Sequence, residues 1–81
     1  MNASDKLKRT FSEVLDLPAQ ADFEELRYRG IPQWDSIAHM QLVAALESIF
    51  DIMLETEDVI AMSSYLEAKE ILVKYDVSFE S

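Results

Sequence analysis

The sequence predicts an all-α fold, a small bundle of three main helices and one short helix with a long loop between the first helix and the second. Eighty-one residues are enough for one core and no more, because a chain of this size buries only roughly 60–65% of the surface its unfolded form exposes. One glycine and two prolines leave too little turn chemistry for a many-stranded sheet. Apolar residues recur instead at helical spacing. One domain spanning residues 1–81 is expected, with its core between about 5 and 75, packed as an orthogonal or up-down bundle.

Leu7, Phe11, Val14 and Leu15 form one apolar stripe of a first helix, with Ser4 and Asp5 as candidate caps and Pro18 as its stop. From Leu17 to Trp34 the apolar residues Leu17, Phe23, Leu26 and Ile31 fit no period, and Gly30 and Pro32 punctuate the end. This stretch is read as a long loop whose large side chains pin it to the core. Ser36 to Phe50 holds neither glycine nor proline and is the main helix. Projected at about 100° per residue, Ala38, Leu42, Val43, Leu46, Ile49 and Phe50 share a core arc. Ile37, Met40 and Ala44 fall on another arc, beside Ser36 and Glu47, and form an apolar strip the core does not claim.

Ile52 and Leu54 alternate with polar neighbours, but a strand without a partner cannot persist, so they are assigned to an extended connector. Thr56-Glu57-Asp58 opens a helix of one or two turns carrying Val59, Ile60 and Met62, its acids suited to the positive end of the helix dipole. Ser64 to Glu67 reads as a capping box for a last helix that carries Leu66, Ala68, Ile71 and Leu72 and runs to about Tyr75. The tail from Asp76 to Ser81 is expected to fray.

Sixteen acids against seven Lys and Arg give a formal charge of −9, which repels nucleic acid and anionic lipid and attracts basic protein surfaces. The absence of cysteine removes disulfides, zinc-thiolate sites and cysteine nucleophiles together. No stretch approaches the roughly 20 apolar residues of a membrane span, and Met1 to Thr10 is unlike a signal peptide, so a cytoplasmic monomer without membrane insertion is expected. No metal site is expected. Asp51 starts something like a calcium loop, but Thr56 and Met62 stand where that loop needs glycine and glutamate. Asp35, Ser36 and His39 lie too close together at one helix start to place base, orienter and oxyanion donors around a carbonyl, so no catalytic residue is assigned.

What remains is a serine after an aspartate, where a long loop enters the main helix and beside an apolar strip. Asp35 or Ser36 can be the helix cap, which explains a polar residue there without any function. The pattern Trp34-Asp35-Ser36-Ile37, then Leu42-Val43-x-x-Leu46-Glu47 and Phe50-x-Ile52, resembles the modification-site helix of the acyl carrier protein family, whose signature is Asp-Ser-Leu, an apolar helix, then Leu-Glu and Phe-x-Ile. The resemblance runs from Leu7 to Tyr75 and includes the order of elements. It implies a freestanding carrier, not an enzyme. Ser36 would bear 4′-phosphopantetheine, taken from coenzyme A, and the thiol of that group would hold an acyl or aminoacyl unit as a thioester for fatty acid or polyketide biosynthesis. It also implies partners: a phosphopantetheinyl transferase and the ligase, synthase or transferase enzymes that load and unload the cargo. The competing function is an acidic helical interaction adaptor in which Ser36 is only a cap.

By the same resemblance and the helical projection, Asp35, Ile37, Met40, Ala44 and Glu47 form the partner-facing patch. The helix departs from many relatives in carrying Ala38, Gln41, Ser48 and Ile49 where acids are common, so docking should depend more on apolar fit. Trp34 is either a packing anchor for the loop or a mark of carriers of specialised pathways, in which similar Trp-Asp-Ser sequences occur. His39, one turn after Ser36, either approaches the phosphate or is a satisfied boundary histidine. Met40, Met53 and Met62 either line a soft cleft for cargo or fill the core. Asp51 stands where relatives often have glycine, and aspartate tolerates a left-handed turn better than most residues.

Overall fold

The structure, a computed structural model, describes residues 2–18 and 20–79. Among them are four α-helices, α1 (Ala3–Leu15), α2 (Ser36–Phe50), α3 (Thr56–Ala61) and α4 (Tyr65–Lys74), and one 3₁₀ turn at Phe23–Glu25. The fold is thus the all-α four-helix arrangement that the periodicity predicts, and the three longer helices and the short one fall where the apolar spacing places them.

Helix α1 is capped by Asn2, ahead of both expected caps, Ser4 and Asp5. Asn2 is extended, and its Oδ1 accepts the Asp5 N–H at 2.9 Å, so Ser4 and Asp5 lie inside the helix. Leu7, Phe11 and Leu15 are buried and Val14 is half-buried. Asp16 ends the helix in the left-handed conformation at φ 54°, and Asp51 ends α2 the same way at φ 53°. In each case the next residue, Leu17 or Ile52, donates its N–H to a carbonyl of the last turn, Ser12 or Glu47 respectively, both at 3.0 Å.

The long segment between α1 and α2 carries more structure than its aperiodic sequence suggests. Besides the 3₁₀ turn, it makes a short antiparallel bridge to the start of α4: Tyr28 N–H donates to Ser63 O at 2.8 Å and Tyr65 N–H to Leu26 O at 3.2 Å. Leu26 and Trp34 are buried, and Leu17, Phe23, Tyr28 and Ile31 pack partly against the core, as their size requires. Trp34 is the packing anchor. Its ring is fully enclosed and meets Phe11 edge-on at 5.4 Å, and Phe11 in turn meets Tyr65 edge-on at 5.2 Å.

On α2 the residues Ala38, Leu42, Val43 and Leu46 are buried as projected, but Ile49 is 40% exposed and Phe50 only half-buried. A place on the core arc leads to burial only where another element lies opposite, and the last turn of α2 is incompletely covered. On α4, Tyr65 takes the buried position and Leu66 is exposed. Ser64 caps this helix, its Oγ accepting the Glu67 N–H at 3.0 Å.

Residues 76–79, within the tail expected to fray, make contacts with the rest of the fold. Val77 N–H donates to Leu72 O at 3.1 Å, Val77 and Phe79 pack on the core, and Phe79 lies 6.4 Å from the Phe50 ring with the Lys69 ammonium 5.5 Å from its own centroid. The remainder of the expected frayed stretch, residues 80–81, lies outside the described residues. Among those described, no helix is long and apolar enough to cross a membrane.

Candidate functional site

Ser36 owes its position to Asp35. The aspartate has extended backbone and its Oδ1 accepts the Ala38 N–H at 2.9 Å, so Asp35 is the N-cap of α2 and Ser36 is the first helical residue. The proposal of Ser36 as a cap is therefore corrected, because the capping bond belongs to its neighbour. Ser36 is exposed at the junction of loop and helix, and its Oγ points to a contact with Arg29.

Arg29 is brought there by the turn that closes the long loop. Its N–H donates to Trp34 O at 3.0 Å, and the following Gly30 N–H donates to Arg27 O at 2.9 Å. A Cβ on Gly30 would stand 3.1 Å from that Arg27 oxygen, which is tight enough to favour glycine. The guanidinium lies 5.4 Å from the centroid of the Tyr28 ring, and its Nη2 donates to Ser36 Oγ at 3.4 Å, a long bond. The Tyr28 phenol is held below its ordinary value, chiefly by hydrogen bonding with Arg29 and next by Ser36. Arg29 is held above its own, chiefly through Tyr28.

His39 is occupied. Trp34 Nε1 donates to His39 Nδ1 at 3.0 Å, and His39 Nε2 lies 2.9 Å from Val59 O. An indole N–H can only donate and a carbonyl can only accept, so the imidazole bears its hydrogen on Nε2 and both ring nitrogens are satisfied. The ring also stacks on Trp34 at 6.1 Å. Of the two roles open to His39, the satisfied boundary residue is the one the structure shows. It links the loop anchor, α2 and α3 instead of facing an attached phosphate.

A cleft of about 350 Å³ opens between α2 and α3 beside Ser36, lined by Tyr28, His39, Met40, Val59, Ile60 and Met62. Met40 and Met62 therefore meet at one cleft, whereas Met53 is exposed elsewhere and takes no part in it. The apolar strip on α2 is open to solvent, with Ile37 72% and Met40 59% exposed and Ala44 exposed as well. Ile60 of α3, 77% exposed, adds to the apolar surface beside the cleft. Two members of the patch expected from sequence have structural duties. Asp35 caps α2, and the Glu47 carboxylate accepts the Leu54 N–H at 2.8 Å, which ties the connector to α2. One carboxylate oxygen of Glu47 thus has a structural partner, while the residue stays half-exposed beside the strip.

Sequence reasoning missed Tyr28 and Arg29. Seven residues separate Arg29 from Ser36, and no spacing rule links them; the turn and the Arg29 to Trp34 bond make the approach. Gly30 was the available signal, since it marks a turn close to the motif. Among the described residues, no group of three or more metal-binding side chains is assembled. In comparisons with protein families, curated proteins and solved structures, nothing matches this chain. The fold and site by themselves define a small acidic helical protein with a reachable serine at the start of its longest helix, next to a cation and an apolar cleft.

Proposed function

We propose that the protein is a carrier of the acyl carrier protein class, modified at Ser36 by 4′-phosphopantetheine. The observation that carries this reading is the state of Ser36: exposed, first in its helix, and free of the capping duty that would explain it otherwise. The surroundings fit the group. The Arg29 cation stands at the hydroxyl to which a phosphodiester would be joined, and the apolar cleft beginning beside Ser36 can receive part of a long flexible arm. A chain without cysteine has no thiol of its own, and the bound group would supply one for carrying acyl or aminoacyl units as thioesters.

In the modification, Ser36 Oγ forms a bond to the phosphorus that bears the pantetheine arm of coenzyme A. The pyrophosphate P–O bond breaks, adenosine 3′,5′-bisphosphate leaves, and the hydroxyl proton passes to a base of the transferase. Ile37, Met40 and Ala44, extended by Ile60, are suited to the partner enzymes, a cytoplasmic transferase and the enzymes that load and unload cargo. Their contacts would be mainly apolar, and the −9 charge would favour basic partner surfaces on approach. An adaptor function would use the same strip but would leave Ser36 without a role.

The test is treatment of the full chain with phosphopantetheinyl transferases and coenzyme A, followed by intact mass. A gain of one phosphopantetheine is expected for the wild type and none for Ser36→Ala. An unchanged wild-type mass with several transferases, or a gain in Ser36→Ala, would overturn the reading.

A further inference from the structure

Resting on the carrier reading, we propose that Arg29 is the phosphate anchor of the modified protein, its guanidinium holding the phosphodiester on Ser36 and so aiming the attached arm at the cleft between α2 and α3. Three independent features of the loop lead to this role. Arg29 is held in the left-handed region at φ 62°, a conformation that costs free energy in any residue with a Cβ, although Gly30 beside it has no positive φ. Its backbone is fixed by the bond to Trp34 O, so this conformation is part of the ordered turn. Its side chain is turned toward the modification hydroxyl in a chain whose acids outnumber its cations sixteen to seven.

The partners of the guanidinium are the second point. Among the described residues, the short ion pairs are Arg9 with Glu13 and Lys74 with Asp58, whereas Arg29 rests on a phenol ring and a serine hydroxyl. Asp35 acts on it only through longer-range attraction. A 3.4 Å bond from an arginine to a neutral hydroxyl is weak, and the other hydrogen-bonding partner of the guanidinium, the Tyr28 hydroxyl, is neutral as well, so the fork meets no carboxylate at short range. A phosphodiester on that oxygen presents two anionic acceptors to the same fork, and charge-assisted, bidentate contacts of this kind are the ones arginine makes best. The Tyr28 ring beneath the guanidinium lines the cleft together with Ser36, so Arg29, although not itself in the cleft wall, stands at the residue that joins the modification hydroxyl to the cleft.

The experiment compares the full-length wild type, Arg29→Gln and Arg29→Lys after treatment with transferase and coenzyme A, using intact mass and phosphorus NMR. All three are expected to gain one phosphopantetheine. The wild-type phosphorus resonance should differ from that of Arg29→Gln, and it should move toward the Arg29→Gln position as salt rises from about 10 mM to about 1 M, where screening shortens from about 30 Å to 3 Å. The Arg29 side-chain N–H signals should shift between the unmodified and modified wild type. Arg29→Lys, which keeps the charge without the fork, should fall between the other two. Identical phosphorus resonances in modified wild type and Arg29→Gln, with no change in the Arg29 signals, would overturn the anchor and leave the carrier reading standing. If no protein gains mass, both fall.

Discussion

Trp34 and His39 are five residues apart in the chain, and their side chains form one link of a relay that ends on Val59 of α3. Each member answers a polar group that burial would otherwise leave unpaired, since Trp34 is fully enclosed. His39→Leu should therefore cost about 1–3 kcal/mol, because it strands a buried indole donor. Trp34→Phe should cost a similar amount from the loss of the same bond plus lost packing. In urea melts the double variant should be less destabilised than the two singles summed, with a coupling of about 0.5–3 kcal/mol, as expected for directly bonded partners. Additive losses would show that the bond stabilises nothing. Neither residue's partner was legible in the sequence. Helical projection gives the direction of His39 on α2, but Trp34 reaches it from a loop that has no period to project.

Helix α3 has six residues, too few to hold itself by propensity, and it is fastened at its N-cap and in its middle by side chains from elsewhere. His39 meets the carbonyl of Val59, and Asp58 is bound by α4: Lys74 Nζ lies 2.6 Å from Asp58 Oδ1, and Tyr75 donates to Asp58 Oδ2 at 2.5 Å while accepting the Glu55 N–H at 3.0 Å. The Asp58 carboxyl is held below its ordinary value, first by Lys74 and then by Tyr75, against the upward push of burial. Lys74 and Tyr75 are both held above theirs, each chiefly through Asp58. The depressed carboxyl contributes stability that is present above the unfolded value and is lost as pH falls below about 4. The two raised groups contribute stability that is present below their unfolded values and is lost as pH rises above about 10. Because the Lys74 side chain is 63% exposed, water screens its share, and the Tyr75 bond matters more than the ion-pair distance suggests. Melting temperature measured against pH should therefore show a plateau that falls at both ends, and Asp58→Asn should narrow its gap to the wild type at both extremes. A gap constant with pH would show that this network does not fasten α3. The sequence marked Asp58 as a first-turn acid suited to the helix dipole. Its partners on α4 could not be foreseen, because sequence periodicity assigns faces within one helix and not the pairing between two.

For the whole molecule, charge sets the balance. A chain of formal charge −9 repels itself most strongly when compact, and only two close ion pairs are formed among the described residues. The melting temperature should rise as salt increases from about 10 mM to about 100 mM, the range in which screening shortens from about 30 Å to 10 Å. Indifference to salt would show that local attractions, such as those of Arg9 and Lys74, already offset the repulsion. The same arithmetic bears on partner choice. If the carrier proposal holds, the −9 charge would govern the speed of encounter and the exposed Ile37, Met40, Ala44 and Ile60 would govern by shape which partner stays.

The all-α class, the order of the helices, most of the buried face of α2 and the exposure of the Ser36 strip were all legible in the chain, because each of these follows from periodicity, capping residues and breakers within a short window. Tertiary structure decided everything that depends on two distant segments meeting. It placed Arg29 on Ser36, closed Trp34 on His39, committed Glu47 to Leu54 and docked Val77 and Phe79 where fraying was expected. The physical reason is the same in each case: side-chain pairing across a fold is set by how the elements pack, and local spacing holds no information about the partner until they have packed.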